Sequence, residues 1–87
     1  MKILHIFSSK VFAGLERHVE ELSFEQSKNN NVLVVGPKKF KYKFRANYYP
    51  LDNLGYRFSP FKSSKLEEIF VNYTPNVVNT HGTKPAV

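Results

Sequence analysis

The chain has 87 residues, 41% hydrophobic and 23% charged, which is the composition of one small globular domain and not of a disordered chain. It contains no cysteine, which excludes a disulfide scaffold, a thiolate metal centre and a cysteine nucleophile, and its longest aliphatic run, Val32–Val35, is far short of the roughly 20 apolar residues that span a bilayer. The net charge of +6 is uneven, because residues 1–36 sum to zero while residues 37–66 carry +7, a bias toward an anionic partner.

Lys2–Phe7 is a short apolar run closed by Ser8 and Ser9, and it predicts a buried strand. The run is too brief, and too interrupted by His5, for a secretory signal, so a cytoplasmic location is expected. Leu15, Val19 and Leu22 recur at helical spacing, with His18 on the same stripe and the glutamates mostly off it. That helix closes at Lys28–Asn31, where a cation and asparagines suit a C-terminus. His18 is expected as a core or boundary residue of the helix, and His5 as a structural residue of the strand. Val32–Val35, stopped by Gly36-Pro37, predicts a second buried strand and completes a right-handed βαβ unit. Alternation of Phe40, Tyr42 and Phe44 with lysines predicts a two-faced strand or an extended loop, and Asn47–Leu51 predicts a third sheet strand. Ser64 followed by Glu67 has a capping-box pattern, and Leu66, Ile69, Phe70 and Tyr73 continue it as a helix over 64–73 that Pro75 stops. Asn76–Thr80 predicts a fourth strand ending at His81-Gly82, and Thr83–Pro85 reads as the start of a further helix. The expected fold is α/β, a Rossmann-like parallel sheet of order 3-2-1-4 with flanking helices. Its last strand would be poorly covered, so the 87 residues are expected to be the N-terminal piece of a longer protein.

Several familiar sites fail on spacing. The loop Ser8–Gly14 holds one glycine and the second strand ends in Gly36-Pro37 instead of an acid, which excludes a dinucleotide fingerprint. The Gly-Lys-Ser/Thr of a P-loop and the Gly-x-Ser-x-Gly elbow are absent. An order of 3-2-1-4 reverses between strands one and four, which brings the Ser8–Gly14 loop against Thr80-His81-Gly82. Backbone N–H groups at a helix start, approached through Gly14, suit a phosphate, and His81 opposite them suits work on a proton. Ser9 and Gly82 are supporting residues, and Glu16 favours the helix N-terminus through the dipole. Three dispersed histidines do not suggest a metal site, and no cofactor is implied.

Ala13-Gly14-Leu15-Glu16-Arg17-His18-Val19 resembles the Gly-Gly-x-Glu-x-x-Val segment near the start of family-4 glycosyltransferases, whose B-type fold pairs two Rossmann-like domains. Pro75-Asn76-Val77-Val78-Asn79-Thr80-His81-Gly82 resembles their Pro-Asp-Val-Val-His-x-His strand and turn. The resemblance covers roughly half of the chain and departs from the family at Ala13, Asn76 and Asn79. It implies retaining transfer of a sugar from a nucleotide-sugar donor to a glycan or lipid-linked acceptor, as in surface polysaccharide or lipopolysaccharide synthesis. Residues 1–87 would be part of the N-terminal, acceptor-binding domain, inactive without the nucleotide-sugar-binding domain. By the same resemblance Ala13 and Gly14 approach the donor diphosphate, and His81 is the catalytic residue near sugar and acceptor.

Lys38, Lys39, Lys41, Lys43 and Arg45, interleaved with aromatics, read as a solvated basic loop, as a contact with an anionic membrane surface, or as a single-stranded nucleic-acid site. Resemblance to enzymes with lipid-linked acceptors favours the membrane, peripherally at its inner face, over nucleic acid. The alternative from another class is a small basic α/β module that binds RNA or anionic lipid without catalysis.

Overall fold

The computed structural model describes residues 1–7, 14–51 and 64–81. Ser9, Ala13, Gly82 and the helix start at Thr83–Pro85 lie outside the described residues. The elements are β1 (Lys2–Phe7), α1 (Gly14–Ser27), β2 (Asn31–Gly36), a 3-10 helix (Lys38–Lys43), β3 (Asn47–Pro50), α2 (Ser64–Tyr73) and β4 (Val77–His81).

The four strands form one sheet of order β3-β2-β1-β4, parallel throughout, with Ile3 opposite Val32 and Val77, and Phe7 opposite His81. This is the expected α/β arrangement. Centrally placed β1 and β2 are apolar on both faces because both faces are covered. Ile3, Phe7, Val32 and Val34 turn toward α1 and the 3-10 helix, where Val19, Phe40, Phe44 and Ala46 complete one core. Leu4, Ile6 and Val35 turn the other way and meet Ile69 of α2, with Phe70 and Tyr73 beside it. The end of α2 is pinned by the Tyr73 hydroxyl, 2.8 Å from the main-chain oxygen of Asn31. Thr74 then takes a left-handed φ of 49° and donates its N–H to the Phe70 carbonyl, 3.0 Å away, which closes the helix as an αL cap. Asn76 opens β4: its side-chain oxygen accepts the Lys2 N–H at 2.8 Å, and its own N–H donates to the Lys2 carbonyl at 2.8 Å. Val77 and Val78 remain 37% and 42% exposed, so β4 is as thinly covered as expected.

Two expectations are corrected. The segment after β2 is not a two-faced strand or extended loop but a 3-10 helix. In a strand Phe40, Tyr42 and Phe44 would share one face. In the turn, Phe40 and Phe44 go inward and stack on Phe7, with ring centroids 6.1 and 5.3 Å away, while Tyr42 is 93% exposed. The second correction concerns the rotation of α1. Leu15 is 39% exposed and His18 is exposed, so His18 is not a core histidine. The residues turned inward are Glu16, Val19, Glu20 and Ser23. Burying carboxylates is unfavourable unless partners are supplied, and here they are. Both Glu20 oxygens receive the Arg45 guanidinium, at 2.8 Å from Nε and 3.0 Å from the terminal nitrogen. Among the described residues no helix is long and apolar enough to cross a membrane.

Candidate functional site

The strand order reverses at the β1–β4 pair, the place where open α/β sheets receive ligands at the C-terminal ends of their strands. β1 ends there at Phe7 and β4 at His81, in register. α1 begins at Gly14. Gly14 is exposed, and among the described residues a Cβ added to it would meet nothing within 4 Å. Nothing in its packing against the described residues therefore calls for glycine. Glu16 lies buried in the first turn of α1, where the helix dipole favours a negative charge.

His81 is half-buried and is not alone. Parallel pairing sets His5 opposite Asn79 and Phe7 opposite His81, so His5 and His81 are diagonal neighbours on the α1 face. Their rings stack with centroids 5.2 Å apart and planes inclined by 27°. Nδ1 of His5 lies 2.9 Å from Nε2 of His81, and Nε2 of His5 lies 2.6 Å from Oε1 of Gln26 on α1. His5 is completely buried, and that burial holds its ring below the ordinary histidine range, with the Gln26 hydrogen bond opposing the shift. His81 is also lowered, first by burial and then by repulsion from His5 and His18. Both shifts favour the uncharged ring at neutral pH, so the group presented at the strand end is an imidazole biased toward its neutral form.

His5 was expected to serve structure alone, and Gln26 attracted no expectation. A signal for His5 does exist in the sequence. It is the one polar residue within a buried apolar strand, and order 3-2-1-4 makes its strand the neighbour of the strand that carries His81. Gln26 lies three residues beyond Ser23, on the same inward stripe of α1 that the glutamates concealed.

Lys38, Lys39, Lys41 and Lys43 are exposed on the 3-10 helix. That helix follows the C-terminal end of β2, so its cations share the His81 end of the sheet. Arg45 is engaged elsewhere: besides gripping Glu20, its guanidinium carbon lies 3.8 Å from the centroid of the Phe24 ring. Among the described residues no three metal-ligating side chains converge. A groove of about 250 Å³ lined by Leu33, Tyr49, Glu68, Ile69, Asn72 and Tyr73 lies on the opposite, α2 face of the sheet. No protein-family model, curated protein or solved structure matches the chain.

Proposed function

We propose that the chain is the N-terminal part of a retaining glycosyltransferase that moves a sugar from a nucleotide-sugar donor to a glycan or lipid-linked acceptor. One observation carries the reading: the histidine of the Pro75–Gly82 motif stands at the strand-order reversal, backed by a buried neutral imidazole. Gly14, a glycine without a packing reason among the described residues, adds support, because a helix start with an open backbone suits a diphosphate. In the transfer the bond between the anomeric carbon and the diphosphate oxygen breaks, and its electron pair leaves with the diphosphate. The acceptor hydroxyl oxygen forms the new bond, and its proton passes to the diphosphate or to His81. The donor's base and most of its phosphate contacts belong to a second domain. The location that suits this work is the cytoplasm, at the inner face of a membrane.

The test is His81→Ala in the full-length protein, assayed against a panel of nucleotide sugars. Transfer should fall by about 10²- to 10⁴-fold with circular dichroism unchanged. Wild-type turnover in the variant would remove His81 from the reaction.

A membrane contact through the 3-10 helix belongs to the same reading. Exposed lysines beside a Tyr42 that is 93% exposed suit anionic headgroups, at about 1 kcal/mol per lysine. The burial of Phe40 and Phe44 leaves Tyr42 as the exposed ring of the 3-10 helix, which disfavours single-stranded nucleic acid along that helix. Sedimentation with vesicles containing or lacking anionic lipid checks this: binding should require the anionic lipid and fall in Lys39→Glu/Lys41→Glu. Binding indifferent to lipid charge would remove the membrane surface.

A further inference from the structure

The nitrogen that His81 offers is set by two residues, the completely buried His5 and Gln26 of α1. Oε1 of Gln26 has no proton to give, so the 2.6 Å contact requires the His5 proton to be on Nε2. A neutral imidazole carries one ring proton, and Nδ1 of His5 is therefore a lone pair. Across the 2.9 Å contact His81 must then donate, which fixes its own proton on Nε2. The remaining nitrogen of His81, Nδ1, then carries a lone pair and no proton.

We infer that His5 and Gln26 are positioning residues that hold His81 as the Nε2–H tautomer, so that the site presents a neutral acceptor and takes a hydroxyl group as its ligand, not a phosphate oxygen. The inference rests on the reading of His81 as the residue that meets substrate. A phosphate oxygen needs a donor, and an acceptor lone pair repels it. A sugar or acceptor hydroxyl supplies the proton that Nδ1 lacks. The two ends of a diphosphate-sugar would thus be sorted, with the anion directed to the helix start and the lysines and the hydroxyl to His81. The arrangement also keeps charge in place. If Nδ1 of His81 gains a proton, the ring still donates through Nε2 to His5, and the completely buried His5 stays neutral. His5 thus plays the orienting part that a carboxylate plays in many histidine sites, without adding a negative charge near the donor phosphates.

The test is ¹⁵N-resolved NMR of the histidine rings in the full-length protein at neutral pH, which reads the tautomer of each ring without any turnover. Wild type should show His5 and His81 each as a single Nε2–H tautomer. Gln26→Glu, which keeps an acceptor, should preserve this pattern. Gln26→Leu should lose the single-tautomer pattern at both rings. A proton on Nδ1 of His5 in the wild type, or a His81 tautomer indifferent to Gln26→Leu, would overturn the inference. The outcome is separable from that of the transferase assay. A correct tautomer pattern with full turnover in His81→Ala leaves the relay standing and removes the reaction, whereas the reverse combination removes the relay alone.

Discussion

At Gly36 an added methyl would land 2.6 Å from both Cζ of Phe7 and Oη of Tyr48, because the two rings close over the end of β2 and the Tyr48 hydroxyl donates to the Pro37 carbonyl at 2.7 Å. Gly36→Ala should therefore lower stability by about 1–3 kcal/mol, the usual cost of overpacking, seen as an earlier urea midpoint with an unchanged slope. Gly14→Ala is its opposite. The new methyl meets nothing among the described residues, and alanine is the better helix former by about 0.5–1 kcal/mol, so the urea midpoint should hold or rise. If Gly14 serves the donor diphosphate, sugar transfer by the full-length variant falls even as stability rises. Unimpaired transfer would return Gly14 to a purely local role.

Between the 3-10 helix and the strand after it, Arg45 adds a polar tie to α1. Arg45 grips both oxygens of Glu20, whose side chain is 11% exposed, and its backbone N–H also reaches Oε2 at 3.3 Å. The neighbouring ion pair between Lys28 and Glu25 is exposed at both ends, at 55% and 67%. Exposed pairs contribute little because water screens them and long side chains lose entropy, whereas a buried carboxylate left without donors is costly. Arg45→Met should shift the denaturation midpoint clearly downward, and Lys28→Met should leave it within error. Equal effects in the two variants would show that Glu20 is as well solvated as Glu25.

Across the whole molecule, acid should weaken the fold in two steps. Burial lowers both His5 and His81, so the unfolded chain takes up their protons first. Stability is full above the ordinary histidine value of about 6.5 and is lost as pH falls through the folded-state values. Hydrogen bonds from Arg45 hold the Glu20 carboxyl below its usual range. Its contribution is present above about 4.3 and disappears as pH falls below that. A series of urea midpoints from neutral to acid pH should show both descents. Glu20→Gln should remove the lower one and leave the upper. A single descent confined to the carboxylate range would mean that the histidine pair is open to water.

Apart from the 3-10 helix, the local elements and the sheet order were legible along the chain. Ile3–Phe7 and Val32–Val35 are apolar on both faces, and such runs suit only the middle of a covered parallel sheet. The Ser64-to-Glu67 pattern and Pro75 mark the limits of α2 along the sequence, and right-handed crossovers then leave few orders for four strands. The rotation of α1 and the partner of His81 were decided only by tertiary structure. Glu20 turns inward because Arg45, 25 residues away, receives it, and Gln26 because His5, 21 residues away, does. Periodicity counts a glutamate or a glutamine as solvent-facing, since the groups that make its burial tolerable come from other elements. The same reason governs the basic segment. Phe40 and Phe44 are drawn inward by Phe7 across the sheet face, and that pull turns an alternating pattern into a helical turn with its lysines on the surface. The +6 of the whole chain follows from composition alone, but the fold decides where it acts, turning four lysines to the surface and committing Arg45 to Glu20.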